Sequence, residues 1–486
     1  MKILLINPPL LDDTGSIRAS TPSVGLLYLA GYLEKNNYSD IRIIDADAGR
    51  LSWSDLKNLI IEDSPDIVGI TGSSFTLPAL IKTAKIAKKN LSDCTVVVGG
   101  FGPTKEPEKV LRVSDKSIDF IVIGEGELTF LELVQKLDNK ESKFNNINGL
   151  AYLDNKDNLI ITKPRAYIRE LDSIPWPAYH FLEPNFSGFV GMHAQHNQKE
   201  MKPPIATMFA SRGCPHRCTF CSLGSKMYRQ RNPKDIVDEM EFYRKRFGVN
   251  SIQIYDDEFM GLSKQQNKWI EEICDEIIKR DLHRKLAFLA QARCSKFINL
   301  NTLEKMKQAN FTWIWWGVES GSQKILDFIK KDIKVKDVIR AFKLTKKSGM
   351  KSLMFIMIGF PKETPEDIKL TVKLIKKLKP DEVSIHIVSP YPGSELRKYF
   401  EEHNLLETDD YYKFDSLTNV IHHTEEMTAE EIKKYYQMLV FRFRNGYWYF
   451  VKFWFKSLFS LDGWKKIPKR IKMIIKYILG WAKIGY

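Results

Sequence analysis

Cysteine is scarce in this sequence of 486 residues: there are six, and three of them fall between residues 214 and 221. So few, so clustered, cannot form a disulfide framework, and they point to a reducing cytoplasm. No uninterrupted apolar run reaches the ~18 residues that read as a membrane-crossing helix. The opening MKILLINPPL is broken too soon by Pro8-Pro9 to be a secretory signal and reads as a buried strand. Histidine is absent before His180, so no imidazole of the first third can ligate a metal. What is present is ordinary for a globular chain, 43% hydrophobic and 28% charged, with room for about three domains.

The net charge of +14 is unevenly spread. Residues 441–486 hold eleven Lys or Arg and one acid, Asp462, hence +10, together with fourteen Phe, Tyr or Trp. The preceding 440 residues carry the remaining +4. Bulky rings in groups such as YWYF and FWF, among cations, suit an anionic membrane surface better than a nucleic-acid groove. The bland alternative is that the rings pack onto the body and the charges face solvent.

Residues 1–140 alternate β-branched runs (2–6, 41–45, 66–70, 94–100 and 119–127) with helical patterns at 24–36 and 77–90. Near-continuous apolar strands are those buried on both faces, so the segment reads as an α/β doubly wound, Rossmann-like domain. Ligands of such sheets sit beyond the strand C-termini. Here those ends carry Asn7-Pro8-Pro9, Ser73-Ser74-Phe75-Thr76, Gly99-Gly100 and Gly124-Glu125-Gly126-Glu127. Residues 141–205 break the rhythm with a hairpin, turning at residues 154–158, and a proline-rich linker. Alternation resumes over 206–400, with strands expected at 206–212, 251–257, 287–293, 313–320, 353–360 and 383–390. Six βα units fall two short of an eightfold barrel, which predicts a partial (βα)6 barrel with its functional residues at the strand C-termini. Residues 401–486 show no strand pattern and are expected to be helical.

The motif richest in chemistry is SRGCPHRCTFCS, in which Cys214, Cys218 and Cys221 share one loop after the first barrel strand. Three thiolates so spaced can hold three irons of a 4Fe-4S cluster and leave the fourth iron open. A zinc knuckle would need a fourth ligand, and His216 lies inside the loop. Cys94, Cys274 and Cys294 read as buried structural residues. His386 lies on the last barrel strand between Ser384 and Val388 at period two, a catalytic candidate in proton transfer if that face lines the barrel. Trp313, Trp315 and Trp316 put indoles on both faces of the fourth strand, as core packing would.

With Phe220 before its last cysteine, the loop resembles the radical S-adenosylmethionine superfamily. The resemblance runs on in order through Tyr255-Asp256-Asp257-Glu258, Arg293, Glu319 in WWGVESG, Gly359 in IGFP and Pro392 in YPG. It implies that Phe220, Tyr255, Asp256, Asp257, Arg293, Glu319, Gly359 and Pro392 contact S-adenosylmethionine. That molecule would chelate the open iron, and reduction would cleave it to a 5′-deoxyadenosyl radical. The first domain further resembles the class with a cobalamin-binding domain, through the strand-end motifs above and Pro22-x-x-Gly25-Leu26-Leu27-Tyr28-Leu29. This implies cobalamin against Ser73, Ser74, Thr76, Gly99, Gly100, Gly124, Glu125 and Gly126, with its lower face open because no histidine is available. One departure is Phe101-Gly102-Pro103-Thr104 after the paired glycines, where the class commonly has a His; the alternative is a domain retained without a corrin.

The resemblance implies cobalamin-dependent methylation of an unactivated carbon, or a related C–H functionalisation. The same architecture carries ring closure on a porphyrin ester and modification of hopanoid or tetraether lipids, the last with no need of cobalamin. The basic aromatic tail favours a lipid-like or other hydrophobic substrate. Expected partners are that substrate, a reductant such as ferredoxin or flavodoxin, and peripheral contact with a membrane surface, with no nucleic acid. Methylthiolation would need three more N-terminal cysteines, and only Cys94 precedes residue 214. A sensor without turnover has no use for an open iron site.

Overall fold

The computed structural model describes residues 1–9, 21–183, 198–222, 227–414, 416–417 and 419–444. The expected tail beyond Arg444 and the linker segment 184–197, with Pro184, lie outside them.

The first seven strands are β1 (Ile3–Asn7), β2 (Ile41–Asp45), β3 (Ile67–Thr71), β4 (Thr95–Gly99), β5 (Phe120–Val122), β6 (Leu150–Leu153) and β7 (Leu159–Ile161). They form one sheet in the order β2-β1-β3-β4-β5-β6-β7. The first five are mutually parallel, and the order reverses between β1 and β3, the crevice where doubly wound sheets bind ligands. Helices cover both faces. Ile3 and Leu5 pack with Leu26, Ala30 and Phe130, while Leu4 and Ile6 pack with Leu56 and Leu80. That is why β1 is apolar from Ile3 to Ile6.

Three expectations need correcting. The strand foreseen at 119–127 ends at Val122, because Gly124 turns at φ +85° and a helix starts at Glu127. The 154–158 turn does close a hairpin, but the hairpin extends the first sheet, β6 antiparallel to β5 and β7 antiparallel to β6. The sheet therefore runs past the expected boundary at residue 140, since β5 would otherwise expose an unpaired edge.

A second sheet, all parallel, has the order β15-β14-β13-β12-β11-β8. Its strands are β8 (Ile205–Met208), β11 (Ser251–Ile254), β12 (Ala287–Arg293), β13 (Phe311–Glu319), β14 (Lys351–Ile358) and β15 (Glu382–Ile387), the open six-stranded barrel expected. A ribbon of β9 (Ser211–Arg212) and β10 (Arg229–Gln230) brackets the cysteine loop. The expected first barrel strand is thus split, because the Asp256 carboxylate accepts from Ala210 N (2.8 Å) and Ser211 Oγ (2.5 Å) and bends the chain away from β11. Alternation on β13 sends Trp316 outward against Phe342 and turns Trp313 and Trp315 into an inner cluster with Leu289 and Leu353.

Past residue 400 the described chain is only partly helical. Glu395–Glu402 and Ala429–Leu439 are α-helices, and between them the chain is largely irregular, with a single bridge from Leu406 to His422. Val440 and Phe443 pack against the barrel core, so the first turn of the basic aromatic segment belongs to the body. No helix among the described residues is long and apolar enough to cross a membrane.

Candidate functional site

Cys214, Cys218 and Cys221 line one cavity of about 330 Å³ at the C-terminal mouth of the barrel. Their loop is pinned from the barrel side: Thr219 N donates to Ile329 O (3.0 Å) and Leu396 N to Thr219 O (2.8 Å). All three are half-buried, whereas Cys94, Cys274 and Cys294 are buried, as expected of structural cysteines. Burial first, and the Glu258 carboxylate second, push the Cys214 thiol up to about 12. A bound metal would reverse that by displacing the proton. Among the described residues no group of three His, Cys, Asp or Glu is placed to hold one metal ion. Thiolates serving separate corners of a cluster need not converge on a point.

Charged groups surround the cysteines. Arg293 Nη1 lies 3.6 Å from Cys218 Sγ. Glu258 approaches His216 Nε2 at 3.4 Å and Cys214 Sγ at 4.0 Å. Lys331 Nζ donates to Glu319 Oε1 at 2.7 Å and lies over the Phe220 ring. Glu319 takes a left-handed conformation, φ +69°, at the bulge that ends β13. Burial opposes the Lys331 charge, but Glu319 and Cys218 outweigh it and hold its ammonium above the usual range. Among the described residues, Glu258 Oε1, Arg293 Nη2 and Ser389 Oγ are buried in this cavity without a hydrogen-bond partner. One carboxylate, one guanidinium and one hydroxyl left open suit a zwitterion bearing hydroxyls. The group implied for this cavity, S-adenosylmethionine, therefore fits the residues present.

The expected site residues divide. Phe220, Asp257, Arg293, Glu319 and His386 line the cavity. His386 makes contacts of 2.9 Å with Ser384 Oγ through Nε2 and 3.3 Å with Ser416 Oγ through Nδ1, and its ring faces Phe355. Tyr255, Asp256, Gly359 and Pro392 do not line it. Tyr255 is turned to Gln291. Asp256 is spent on Ala210 and Ser211, and burial pushes its carboxyl up to about 7. Gly359, at φ +93°, gives its N–H to Glu363 Oε2 (2.6 Å) and its carbonyl to His422 Nε2 (2.8 Å). A Cβ there would lie 2.8 Å from His422 Nε2. Tyr391, rather than Pro392, reaches the cavity. Glu258, Lys331 and Ser389 were not singled out from sequence. Glu258 ended a motif already noted, but Lys331 follows Lys330 in a run resembling any surface lysines.

A second cavity, of about 380 Å³, opens between the two sheets. Gly25, Gly99, Gly100, Gly124, Glu125 and Gly126 line it from the first domain, Ser211, Arg212 and Gly213 from the ribbon. The backbone at Gly100 has no room for a side chain: φ is +94°, and a Cβ would stand 2.5 Å from Gly72 O. Gly25 and Gly124 leave open space where a Cβ would be. Such a cradle admits a broad, flat ligand close to backbone, so cobalamin fits the residues present, and no histidine among the described residues lines it. Ser73, Ser74 and Thr76 are not on its wall. Ser73 N donates to Thr76 Oγ1 (2.8 Å), and Ser74 is buried behind Gly102. Asp257 lines both cavities and accepts from Gly213 N at 3.2 Å.

Residues 208–375 match the Radical SAM superfamily model, and residues 12–134 match the B12 binding domain model. An uncharacterized methyltransferase of Pyrococcus horikoshii is 34% identical over 90% of this chain and 92% of its own length. The chain belongs to the cobalamin-binding-domain-containing radical S-adenosylmethionine enzyme family. Another member, the anaerobic magnesium-protoporphyrin IX monomethyl ester cyclase of Rubrivivax gelatinosus, is 30% identical over 87% of this chain and 73% of its own. Among solved structures, the cobalamin-dependent S-adenosylmethionine radical enzyme OxsB, with aqua-cobalamin and S-adenosylmethionine bound, shares the fold at TM-score 0.74 and 19% identity, covering 98% of this chain and 72% of its own. Relatives of this chain include methyltransferases and a cyclase, which supports a cobalamin-dependent methyltransferase-like function.

Proposed function

We propose that the protein cleaves S-adenosylmethionine to a 5′-deoxyadenosyl radical and uses it, with cobalamin, to methylate or otherwise functionalise a C–H bond of a hydrophobic, lipid-like small molecule. One observation carries this reading: the cysteine cavity and the glycine-lined cavity share the wall residue Asp257, so groups bound in each would face one another. When bound, the cluster and its nucleoside supply the radical and the corrin supplies the methyl group.

The chain's own residues would do the rest. Cys214, Cys218 and Cys221 would hold the cluster. Arg293 Nη2 and Ser389 Oγ would receive the carboxylate and a hydroxyl of the nucleoside amino acid, and Glu258 its ammonium. Trp315, Phe355 and Met357 present apolar wall to a substrate. His386, held between Ser384 and Ser416, would exchange a proton with the substrate. Electrons would come from a small reductant such as ferredoxin or flavodoxin. The basic aromatic tail would keep the enzyme at a membrane surface, where lipid-like substrates are delivered.

The experiment is anaerobic purification, reconstitution and reduction, with iron, corrin and 5′-deoxyadenosine quantified. Stoichiometric corrin and reductant-dependent deoxyadenosine are expected. Deoxyadenosine without corrin uptake would leave cobalamin-free lipid or porphyrin modification. Corrin uptake without deoxyadenosine would leave a sensor. A second reading, anaerobic ring closure, is favoured by the 30% identity to the porphyrin ester cyclase, and assay on that ester separates it.

A further inference from the structure

Glu125 was expected to touch a cofactor, but its carboxylate is turned across the domain boundary. It takes a fork-to-fork pair from Arg229, whose Nη1 stands 3.0 Å from Glu125 Oε2. The same Nη1 also donates to Ile168 O at 2.6 Å. Two residues on, Glu127 opens the helix Glu127–Asp138 and pairs with Arg212 Nη2 at 2.7 Å. The Arg212 guanidinium also covers the Tyr28 ring, 4.6 Å from its centre. The Arg212, Arg229 and Glu127 side chains are each more than four-fifths buried.

The geography is specific. Both arginines sit on the ribbon that brackets the cysteine loop: Arg212 is two residues before Cys214, and Arg229 lies on the returning strand. Both glutamates wall the glycine-lined cavity, Glu125 from the loop after β5 and Glu127 from the start of its helix. We infer that Glu125–Arg229 and Glu127–Arg212 form a double clamp that fixes the distance between the corrin cavity and the cluster loop. Buried bidentate pairs give geometric specificity beyond their net energy, and breaking one side leaves a buried charge uncompensated. A clamp of this kind makes Glu125 and Glu127 positioning residues. It rests on the two-cofactor reading above.

The test uses the full chain, reconstituted anaerobically with cluster and cobalamin and reduced to the paramagnetic cluster and cob(II)alamin. Pulsed electron paramagnetic resonance then reads the separation of the two spins. Wild type is expected to give one narrow distance. Glu127→Gln and Glu125→Gln should keep iron and corrin within about twofold of wild type while broadening that distance. The swapped pair Glu127→Arg with Arg212→Glu should narrow it again. Glu108→Gln, which removes an exposed pair with Arg112, should leave it unchanged. An unaltered distance in both single variants overturns the clamp, as does complete loss of corrin in either with the cluster intact, which would return the glutamates to cofactor binding. A wild-type protein that takes up no corrin sinks the function reading but still tests the clamp. Hydrogen exchange at the Ser211–Arg212 and Arg229–Gln230 amides should then be at least tenfold faster in the single variants, and equal protection overturns it.

Discussion

Cys214, Cys218 and Cys221 share a loop held at Thr219 by backbone bonds to Ile329 and to Leu396 of the helix Glu395–Glu402, so removing their thiols should leave the loop folded. The triple alanine variant is expected to lose all bound iron and all reductant-dependent deoxyadenosine while keeping its far-ultraviolet circular dichroism. Iron retained at wild-type stoichiometry would contradict the ligand assignment. Glu363 offers a residue-scale pH prediction. Burial pushes its carboxyl up to about 8, partly offset by the amides of Gly359 and Phe360. The folded chain keeps this proton up to that pH, whereas the unfolded chain releases it near 4.5. Its contribution therefore favours the fold below about 4.5 and fades as pH rises towards 8. Burial drives His422 the other way, down to about 4, so its contribution is present above the unfolded value of 6.5 and is lost as pH falls towards 4. Glu363→Gln should remove the loss of melting temperature between pH 6.5 and 8 while keeping the loss on acidification; an unchanged slope above pH 6.5 would show that Glu363 is ionised in the fold. None of this was legible in the sequence. Glu363 and His422 are 59 residues apart and meet only because both grip Gly359.

Single elements were read more easily than single contacts. Each strand of both sheets overlaps a segment read as extended from sequence, most clearly the near-continuous apolar runs of β1, β3 and β4, since a strand buried on both faces can carry little else. Strand ends were read less well, because they are set by partners distant in sequence: Asp256 bending the chain at Ser211 is one, the sheet edge that recruits β6 and β7 another. The Gly99-Gly100 turn was legible for the same local reason that makes it fragile. Gly100→Ala must accommodate both φ +94° and a Cβ 2.5 Å from Gly72 O. It should cost at least ~1–3 kcal/mol in denaturant unfolding and weaken corrin uptake in proportion to the loop's displacement. A variant as stable as wild type would mean that the Gly72 carbonyl can move aside. Ser73, Ser74 and Thr76 illustrate the opposite case. Their composition suggested a ligand loop, yet the Ser73 and Thr76 hydroxyls close a turn on the loop itself.

For the whole molecule, the charge asymmetry gives the sharpest prediction. Val440 and Phe443 are part of the barrel's packing, so truncation after residue 444 should leave the fold intact and remove nine of the eleven tail cations. The full chain is expected to sediment with anionic but not neutral vesicles, less so at high salt, and the truncated chain with neither. Each Lys or Arg next to anionic lipid contributes up to ~1 kcal/mol. Sedimentation of the truncated chain, or none by the full chain, would remove both the membrane contact and the main reason for preferring a lipid-like substrate. At this scale the sequence showed two α/β units and two motif sets. That both motif sets share Asp257 as wall could not be read, because the contact joins loops far apart in the chain.

That shared wall has a nutritional consequence. On the proposed function, the cysteine cavity, which shares Asp257 as wall with its neighbour, is closed on that side by whatever fills the neighbour. Cells starved of cobalt would make the same protein with that side open, and each reduction would then spend S-adenosylmethionine without yielding product. Growth yield on limiting sulfur should therefore fall when cobalt is withheld from cells overproducing this chain, and should recover when Cys218 is replaced by alanine.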